Sequence, residues 1–193
     1  APKDVADLLG FLRDATGDVV ASGVIVFDDE PEFLTALVEG SGDAELLEGS
    51  PFAGSKFLRV TPPQRHSPRI AGWQYRVVEH PSISESGVVE EIRYLRMAWR
   101  TAGDGVMIEL ADKGAWPAAE SSLRRYFSGT NTTHWQAVEL SKVAPREWTV
   151  VTVDLWKDFG EFTLTGIAPT AMGGAADFDR LEFLASLDGV TKP

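Results

Sequence analysis

The sequence predicts an all-β sandwich of two antiparallel sheets with minor helices. Three β-rich runs, at residues 148–155, 162–168 and 178–183, alternate with turn-forming segments near the end of the chain. From residue 43 onward, apolar runs recur at short spacing between proline and glycine turns, which is typical of a sandwich or barrel. The 193 residues, of which 44% are hydrophobic, suit one domain with a single large core.

The first forty residues are predicted to lead into the sandwich. Residues 4–13 carry apolar side chains at helical spacing, which predicts a short amphipathic helix. Residues 18–39 mix short β-rich runs with a turn or short helix, and we expect them to form the edge of the sandwich. The predicted domains are a lead-in at 1–40, which could be the tail of an upstream domain, and the sandwich at 41–190.

From residue 44 onward, nine strands are predicted in all, separated by turns and loops, and the last three are the β-rich runs named above. Residues 101–106, with Gly103 and Gly105, indicate a hairpin turn. Residues 116–133 are too many for a tight turn, and 117–125 predict one or two helical turns ahead of a polar loop. Binding residues often collect on such loops. The predicted strands are 44–47, 56–61, 73–79, 91–100, 106–111, 135–140, 149–155, 162–168 and 178–185.

Composition excludes several classes of function. Because the chain has no cysteine, it has no disulfides, thiolate metal sites or cysteine nucleophile. Its 29 acidic and 18 basic residues give a net charge of −11, which repels phosphate backbones and argues against nucleic acid as a partner. No apolar run reaches the roughly 18 residues of a membrane span. The acidic composition suits an exported protein, either extracellular or periplasmic.

Motifs of common enzymes are missing from the sequence. His66, His80 and His134 form no metal-ligand spacing, and neither a Gly-x-Ser-x-Gly elbow nor a glycine-rich phosphate loop occurs. Paired carboxylates carry little weight, because 29 acids will place some pair at glycosidase distance by chance. The sequence therefore predicts a protein that is not an enzyme.

The fourth predicted strand has polar side chains typical of a ligand site on one face. Because side chains alternate along a strand, Tyr94, Arg96 and Arg100 share that face. If this strand pairs with the fifth across the glycine turn, Arg96 or Arg100 lies near Glu109. Arginine and glutamate can bind sugar hydroxyls in a bidentate manner, and an aromatic ring can stack on a pyranose. The alternative is a cross-strand salt bridge on a solvated face.

Two of the six tryptophans flank the long loop. Trp116 begins the loop and Trp135 follows it, with Tyr126 between them, so these rings could form a stacking platform for a sugar. The alternative is that the rings anchor the loop, since burial is the commoner use of tryptophan. Trp73 and Trp99, by contrast, are predicted to lie in the core.

Three runs, at residues 91–99, 146–152 and 158–167, carry a resemblance to a known family. They resemble the galactose-binding-like β-sandwich, the jelly-roll fold of many carbohydrate-binding modules. In particular, they resemble the form that is inserted in planctomycete-type surface proteins that carry cytochrome c domains. This chain has no haem motif of its own, so the resemblance does not extend to redox activity.

The resemblance implies a non-catalytic module that brings a larger exported protein to a polysaccharide or oligosaccharide. Its partners would be that sugar and the other domains of the parent protein. It also implies a structural calcium ion (Ca2+) joining an early strand to the last one, for which Glu45, Asp177 and Asp179 occupy the corresponding places. The alternative is a structural or protein-interaction spacer that binds no sugar.

Overall fold

A computed structural model of the protein describes residues 12–13, 19–21, 23–37, 44–62, 64, 66–84, 87–121 and 123–190, the first two segments by their backbone alone. These residues form fourteen strands and two short helices. In chain order they are β1 Leu12–Arg13, β2 Val19–Ala21, β3 Gly23–Phe27, α1 Pro31–Leu37, β4 Ala44–Glu48, β5 Lys56–Val60, β6 Tyr75–Val77, β7 Glu91–Ile92, β8 Tyr94–Thr101, β9 Gly105–Asp112, β10 Arg125–Gly129, β11 Val138–Ser141, β12 Thr149–Asp154, α2 Leu155–Phe159, β13 Phe162–Met172 and β14 Ala176–Leu184.

The strands form two large sheets packed face to face. Sheet I has the order β11-β10-β9-β13-β6-β7, and sheet II has the order β12-β8-β14-β5-β4, with β3 also paired to β14. Neighbouring strands run antiparallel except for β10/β11 and β6/β7 at the two ends of sheet I, which are parallel. A separate small sheet joins β1 and β2. The predicted all-β sandwich is therefore confirmed.

The core lies between the sheets and is formed by the inward side of each strand. On β8, Leu95, Met97 and Trp99 are at most 1% exposed, as the alternation of side chains predicts. On β9, Val106 and Ile108 are fully buried in the same core. Each large apolar side chain buried in this way contributes about 1.5–3 kcal/mol to stability.

Residues 23–37 of the lead-in contribute to the sandwich itself. Strand β3 pairs antiparallel with β14. Helix α1 begins at Pro31, which suits a first turn because the missing N–H would have no partner there. Phe33 and Leu37, four residues apart on one helix face, are buried in the core, and the Phe33 ring lies 6.2 Å from the Trp73 ring.

Two of the predicted helical segments, 4–13 and 117–125, are not helical where the structure describes them, whereas the turn or short helix expected within 18–39 is helix α1. Of residues 4–13, Leu12 and Arg13 form strand β1, and residues 4–11 lie outside the described residues. At 117–125, the described residues contain no helix, and Arg125 begins β10. Helical spacing over the residues 4–13 is a weak signal, and Leu12 and Arg13 pair with β2 instead.

Strands β8 and β9 do not form the predicted hairpin, although they follow each other directly. β8 pairs with β12 and β14 in sheet II, whereas β9 pairs with β10 and β13 in sheet I. The turn at 102–104 thus carries the chain between sheets, and its Asp104 N–H donates to the Met172 carbonyl at 2.7 Å. Alternation shows which side chains face the core, but it does not select the neighbouring strand.

The helices of the sandwich are short connectors. α1 has seven residues and α2 has five. Helix α2 is capped by Asp154, whose carboxylate accepts a hydrogen bond from the Lys157 N–H at 3.0 Å. Within the described part of the chain, no helix has the length and apolarity needed to cross a membrane.

Candidate functional site

A cleft of about 630 Å³ lies on the outer face of sheet I, the face that points away from the core. Outward residues of β9, β10 and β13 form the floor of the cleft. One wall is the segment that ends at Pro68. The other wall consists of Trp116, Pro117, Ala119 and Trp135. Its volume falls within the range of about 300–1,000 Å³ that is usual for ligand sites. We call this site the cleft.

The floor of the cleft is held by a buried ion pair between neighbouring strands. Arg125 on β10 lies directly opposite Glu109 on β9, and its Nε donates to the Glu109 carboxylate. The two residues are 2% and 4% exposed. Burial raises the pKa of Glu109, and the hydrogen bond and positive charge of Arg125 oppose this rise. No other described residue donates to the Glu109 carboxylate, so Oε1 can accept a hydrogen bond from a ligand.

The Arg125 guanidinium also fixes one wall of the cleft. Its Nη1 donates to the carbonyls of Ala118 and Ser121 at 2.8 and 2.9 Å, and its Nη2 donates to the carbonyl of Pro117. With these donors occupied, Arg125 holds the loop after β9 against the sheet. Its role in the cleft is therefore to position the wall and Glu109.

Trp135 rests on the Arg125 guanidinium at the mouth of the cleft. The Arg125 Cζ lies 5.1 Å from the Trp135 ring centroid, a cation–π distance. The Trp135 carbonyl accepts a hydrogen bond from the Asn131 side-chain amide at 2.7 Å. The backbone N–H of Gln136, the following residue, donates to the Ala119 carbonyl at 3.0 Å. Trp135 nevertheless stays 37% exposed. The tryptophan is thus fixed in place while part of its ring faces solvent.

Trp116 supplies a second, half-buried ring to the same cleft. Among the described residues, neither the Trp116 nor the Trp135 indole N–H has a hydrogen-bond acceptor, and the Trp116 Nε1 atom is not buried. Each indole can therefore offer an apolar face and one N–H donor to a ligand.

The wall that faces the tryptophans belongs to a strap of residues 66–70 that lies against strand β13. Gly166 permits this close approach, because a Cβ at this position would lie 2.6 Å from the carbonyl carbon of Pro68. The Thr165 hydroxyl donates to the Pro68 carbonyl at 2.9 Å and fixes the strap there. A register shift between Leu164 and Gly166 accompanies this contact.

His66 is the buried polar residue of this wall. Its Nε2 lies 2.7 Å from the Pro169 carbonyl and must donate to it. Its Nδ1 is buried and has no partner among the described residues. Burial lowers the pKa of His66, so the ring is neutral at pH 7 and Nδ1 is an acceptor.

The structure brings three of the seven predicted ligand residues together in the cleft and separates the other four. Glu109, Trp116 and Trp135 line it. Tyr126 points into the core instead, where its hydroxyl donates to Asp158 at 2.7 Å. The last three are on the outer face of sheet II, because β8 belongs to that sheet; they are Tyr94, Arg96 and Arg100.

The predicted contact between Glu109 and an arginine of β8 is wrong. Arg96 pairs with Glu182 at 3.1 Å, and Arg100 pairs with Asp177 at 2.8 Å, both across sheet II. The partner of Glu109 is Arg125, which sequence reasoning missed. The signal for Arg125 is the β-rich run that it begins, whereas the sequence-based expectation ends helical turns at Arg125 and puts the residues after it in a polar loop.

The three residues predicted to hold calcium do not gather into a ligand cluster. Asp177 accepts from Arg59 at 2.7 Å and from Arg100 at 2.8 Å. Asp179 is fully buried and accepts the N–H groups of Phe52 and Ala53, while Glu45 is exposed. Within the described part of the chain, no three His, Asp or Glu side chains lie close enough to hold a metal ion. Calcium binding therefore stays a prediction from the sequence.

The fold and the site define a β-sandwich with an aromatic-lined cleft on the outer face of one sheet. A scan of protein-family models gave no match, and a comparison with curated proteins gave none either. Among solved structures, the chain is similar to the CBM22-1 xylan-binding domain of Xyn10C from Paenibacillus barcinonensis. The TM-score is 0.33 and the identity 10%, over 77% of this chain and 84% of that one. Similarity at this level carries no conclusion about a ligand.

Proposed function

We propose that the cleft binds a stretch of polysaccharide or an oligosaccharide without cleaving it. The observation that carries this proposal is the pair of tryptophans, Trp116 and Trp135, beside the fixed carboxylate of Glu109. As the sequence resemblance implies, the domain would bring a larger exported protein to its polysaccharide.

The chemistry of the cleft suits a sugar ring. The C–H face of a pyranose can stack on an indole, and its hydroxyls can donate to Glu109 Oε1 or accept from the two indole N–H groups. Because Arg125 and the backbone already hold Trp135 and Glu109 in place, binding orders few side chains. A shallow site of this kind is expected to bind with a Kd of about 10 μM to 1 mM.

The acidic content of the cleft supports binding rather than hydrolysis. Glycoside hydrolysis usually requires two carboxylates on opposite sides of the scissile bond. Among the described residues that line the cleft, Glu109 is the single acid, and it is paired with Arg125. The proposal therefore assigns no catalytic role to Glu109.

The test is a binding screen against soluble xylans, glucans, mannans and galactans by isothermal titration calorimetry. We expect Trp135→Ala and Trp116→Ala each to weaken binding at least about tenfold, because aromatic stacking is lost. Trp156→Ala is the matched control, since Trp156 is a half-buried tryptophan outside the cleft. Thermal melting should show that all three variants remain folded.

Two results would contradict the proposal: no binding across the panel, or full binding by both cleft variants. The alternative is then a protein-interaction spacer, which a different observation favours. Strand β11 is an edge of sheet I. Leu140 on this strand is 36% exposed, and Val143 in the turn after it is 73% exposed. An unpaired edge with apolar side chains can pair with another chain.

A further inference from the structure

A second cavity, of about 300 Å³, lies on the outer face of sheet II near the turn between β8 and β9. Arg59, Arg100 and Arg146 line it together with the acids Asp177 and Glu147. The lining thus has one net positive charge, in a chain whose overall charge is −11. This cavity, which we call the arginine pocket, shares no lining residue with the cleft on sheet I.

A buried carboxylate holds two of the arginines in a row across three strands. Asp177 on β14 lies opposite Arg59 on β5 and opposite Arg100 on β8. Asp177 is 4% exposed, and it accepts from Arg59 Nε and Nη2 at 2.7 and 2.9 Å and from Arg100 Nε at 2.8 Å. One carboxylate therefore fixes two guanidiniums and neutralises the charge of only one.

Aromatic rings fix Arg100 further. Its Cζ lies 4.3 Å from the centroid of the Trp148 ring and 5.0 Å from that of Phe57. No described residue accepts a hydrogen bond from its Nη1 or Nη2, and neither atom is buried. Arg100 thus presents a rigid pair of donors to the pocket, in the geometry that matches a carboxylate.

Arg146 is held from the other side of the pocket by the backbone. Its Nη1 donates to the carbonyls of Thr101 and Gly103 at 3.1 and 2.8 Å. Its Nε and Nη2 have no acceptor among the described residues, and Arg59 Nη1 has none either. Three arginines with fixed positions therefore leave unused donors around one small cavity.

We infer that the arginine pocket binds an oxyanion, namely the carboxylate or sulfate group of an acidic ligand. The free N–H groups of Arg100 and Arg146 donate hydrogen bonds to the anion, and Arg59 adds positive charge beside them. The rings of Trp148 and Phe57 keep Arg100 in place, so that little side-chain motion is lost on binding. The site is independent of the cleft, and the proposed sugar binding is not needed for it.

The experiment is a titration with sodium sulfate or sodium glucuronate, each compared with sodium chloride at the same ionic strength. Two-dimensional 1H–15N NMR of the arginine Nε–H groups reports on each guanidinium separately. We expect saturable shifts for Arg100 and Arg146 in about the millimolar range of Kd. Saturation by both anions, or by either one, supports the site and identifies the group it prefers.

Variants separate a specific pocket from general charge screening. Arg100→Gln and Arg146→Gln should each weaken anion binding at least about tenfold. Arg76→Gln is the control variant, because it removes the same charge at an arginine of sheet I whose side chain is 60% exposed. This variant should bind the anion like the parent. If Arg100→Gln does not fold, Arg146→Gln still decides the matter. Shifts no larger than those in chloride, or parental binding by folded Arg146→Gln, would overturn the inference.

Discussion

At the scale of single residues, Arg125 has the largest structural role in the cleft. It joins β10 to Glu109 on β9, to three carbonyls of the wall and to the Trp135 ring. Its guanidinium is almost fully buried, so its charge depends on these partners. Arg125 therefore supports the Trp135 ring and the wall segment that follows Trp116.

Replacing Arg125 should destabilise the whole domain. Arg125→Met leaves Glu109 buried without its partner and leaves three carbonyls unsatisfied, so we expect a loss of about 3–5 kcal/mol of unfolding free energy. Adding Glu109→Gln should recover part of that loss, because the unpaired charge is removed. Urea denaturation of the two single variants and the double variant measures this coupling. Strictly additive losses would show that the pair is not coupled.

Asp179 makes stability depend on pH. Burial raises the pKa of Asp179 from an ordinary 3.8 to about 6. The Asp179 carboxylate accepts hydrogen bonds from the N–H groups of Phe52 and Ala53, which lower its pKa but only partly offset the effect of burial. Ionisation is therefore harder in the folded chain than in the unfolded one. The stabilising effect of the protonated form is complete below about pH 4 and is lost as pH rises through about 6.

The difference between parent and Asp179→Asn isolates this effect. At about 1.4 kcal/mol per pKa unit, the parent should lose about 2 kcal/mol relative to the variant between pH 4 and pH 7. Glu91→Gln is a control of opposite sign, because hydrogen bonds from Ser82 lower the pKa of Glu91. Urea titrations at several pH values measure both, and a difference for Asp179→Asn that does not change with pH would contradict the assignment.

At the scale of elements, β3 and α1 belong to the packed core. Phe27 on β3 is fully buried, and Phe33 and Leu37 on α1 are 6% and 0% exposed. Burial of each of these side chains stabilises the folded chain by roughly 1.5–3 kcal/mol. Strand β3 also completes the hydrogen bonding of the second half of β14. These contacts connect the lead-in to sheet II.

A chain that begins at residue 41, the domain boundary predicted from the sequence, should therefore be much less stable than the full chain. It lacks the three buried side chains and exposes the edge of β14 that β3 covers. Thermal melting followed by near-ultraviolet circular dichroism compares the two chains. A shortened chain with the parental melting temperature would show that the boundary at 40/41 is correct.

At the scale of the whole molecule, the two proposed sites lie on opposite outer faces of one sandwich. The cleft is on sheet I and the arginine pocket is on sheet II, with the apolar core between them. Each site rests on outward residues of central strands, so the packing of the core sets the position of both. Mutations in the core are expected to affect both sites together, whereas the surface variants proposed above should affect them separately.

Much of the fold follows from local patterns in the chain. The runs 94–101, 149–154 and 162–172 are strands in the structure, near the ranges predicted for them. Alternation also placed Trp99 in the core correctly. These predictions succeed because strand formation and the choice of buried face depend on neighbouring residues in the sequence.

The sequence by itself therefore determined the all-β class, most strands, the buried faces and the tryptophans that flank the long loop. Tertiary structure decided which strands are neighbours, and it placed β8 and β9 in different sheets. As a result, Glu109 forms its ion pair with Arg125, and Arg100 forms its ion pair with Asp177. The reason is that each strand buries one apolar face equally well in either sheet. Pairing is then chosen by long-range packing and hydrogen bonding, which no local pattern in the chain contains.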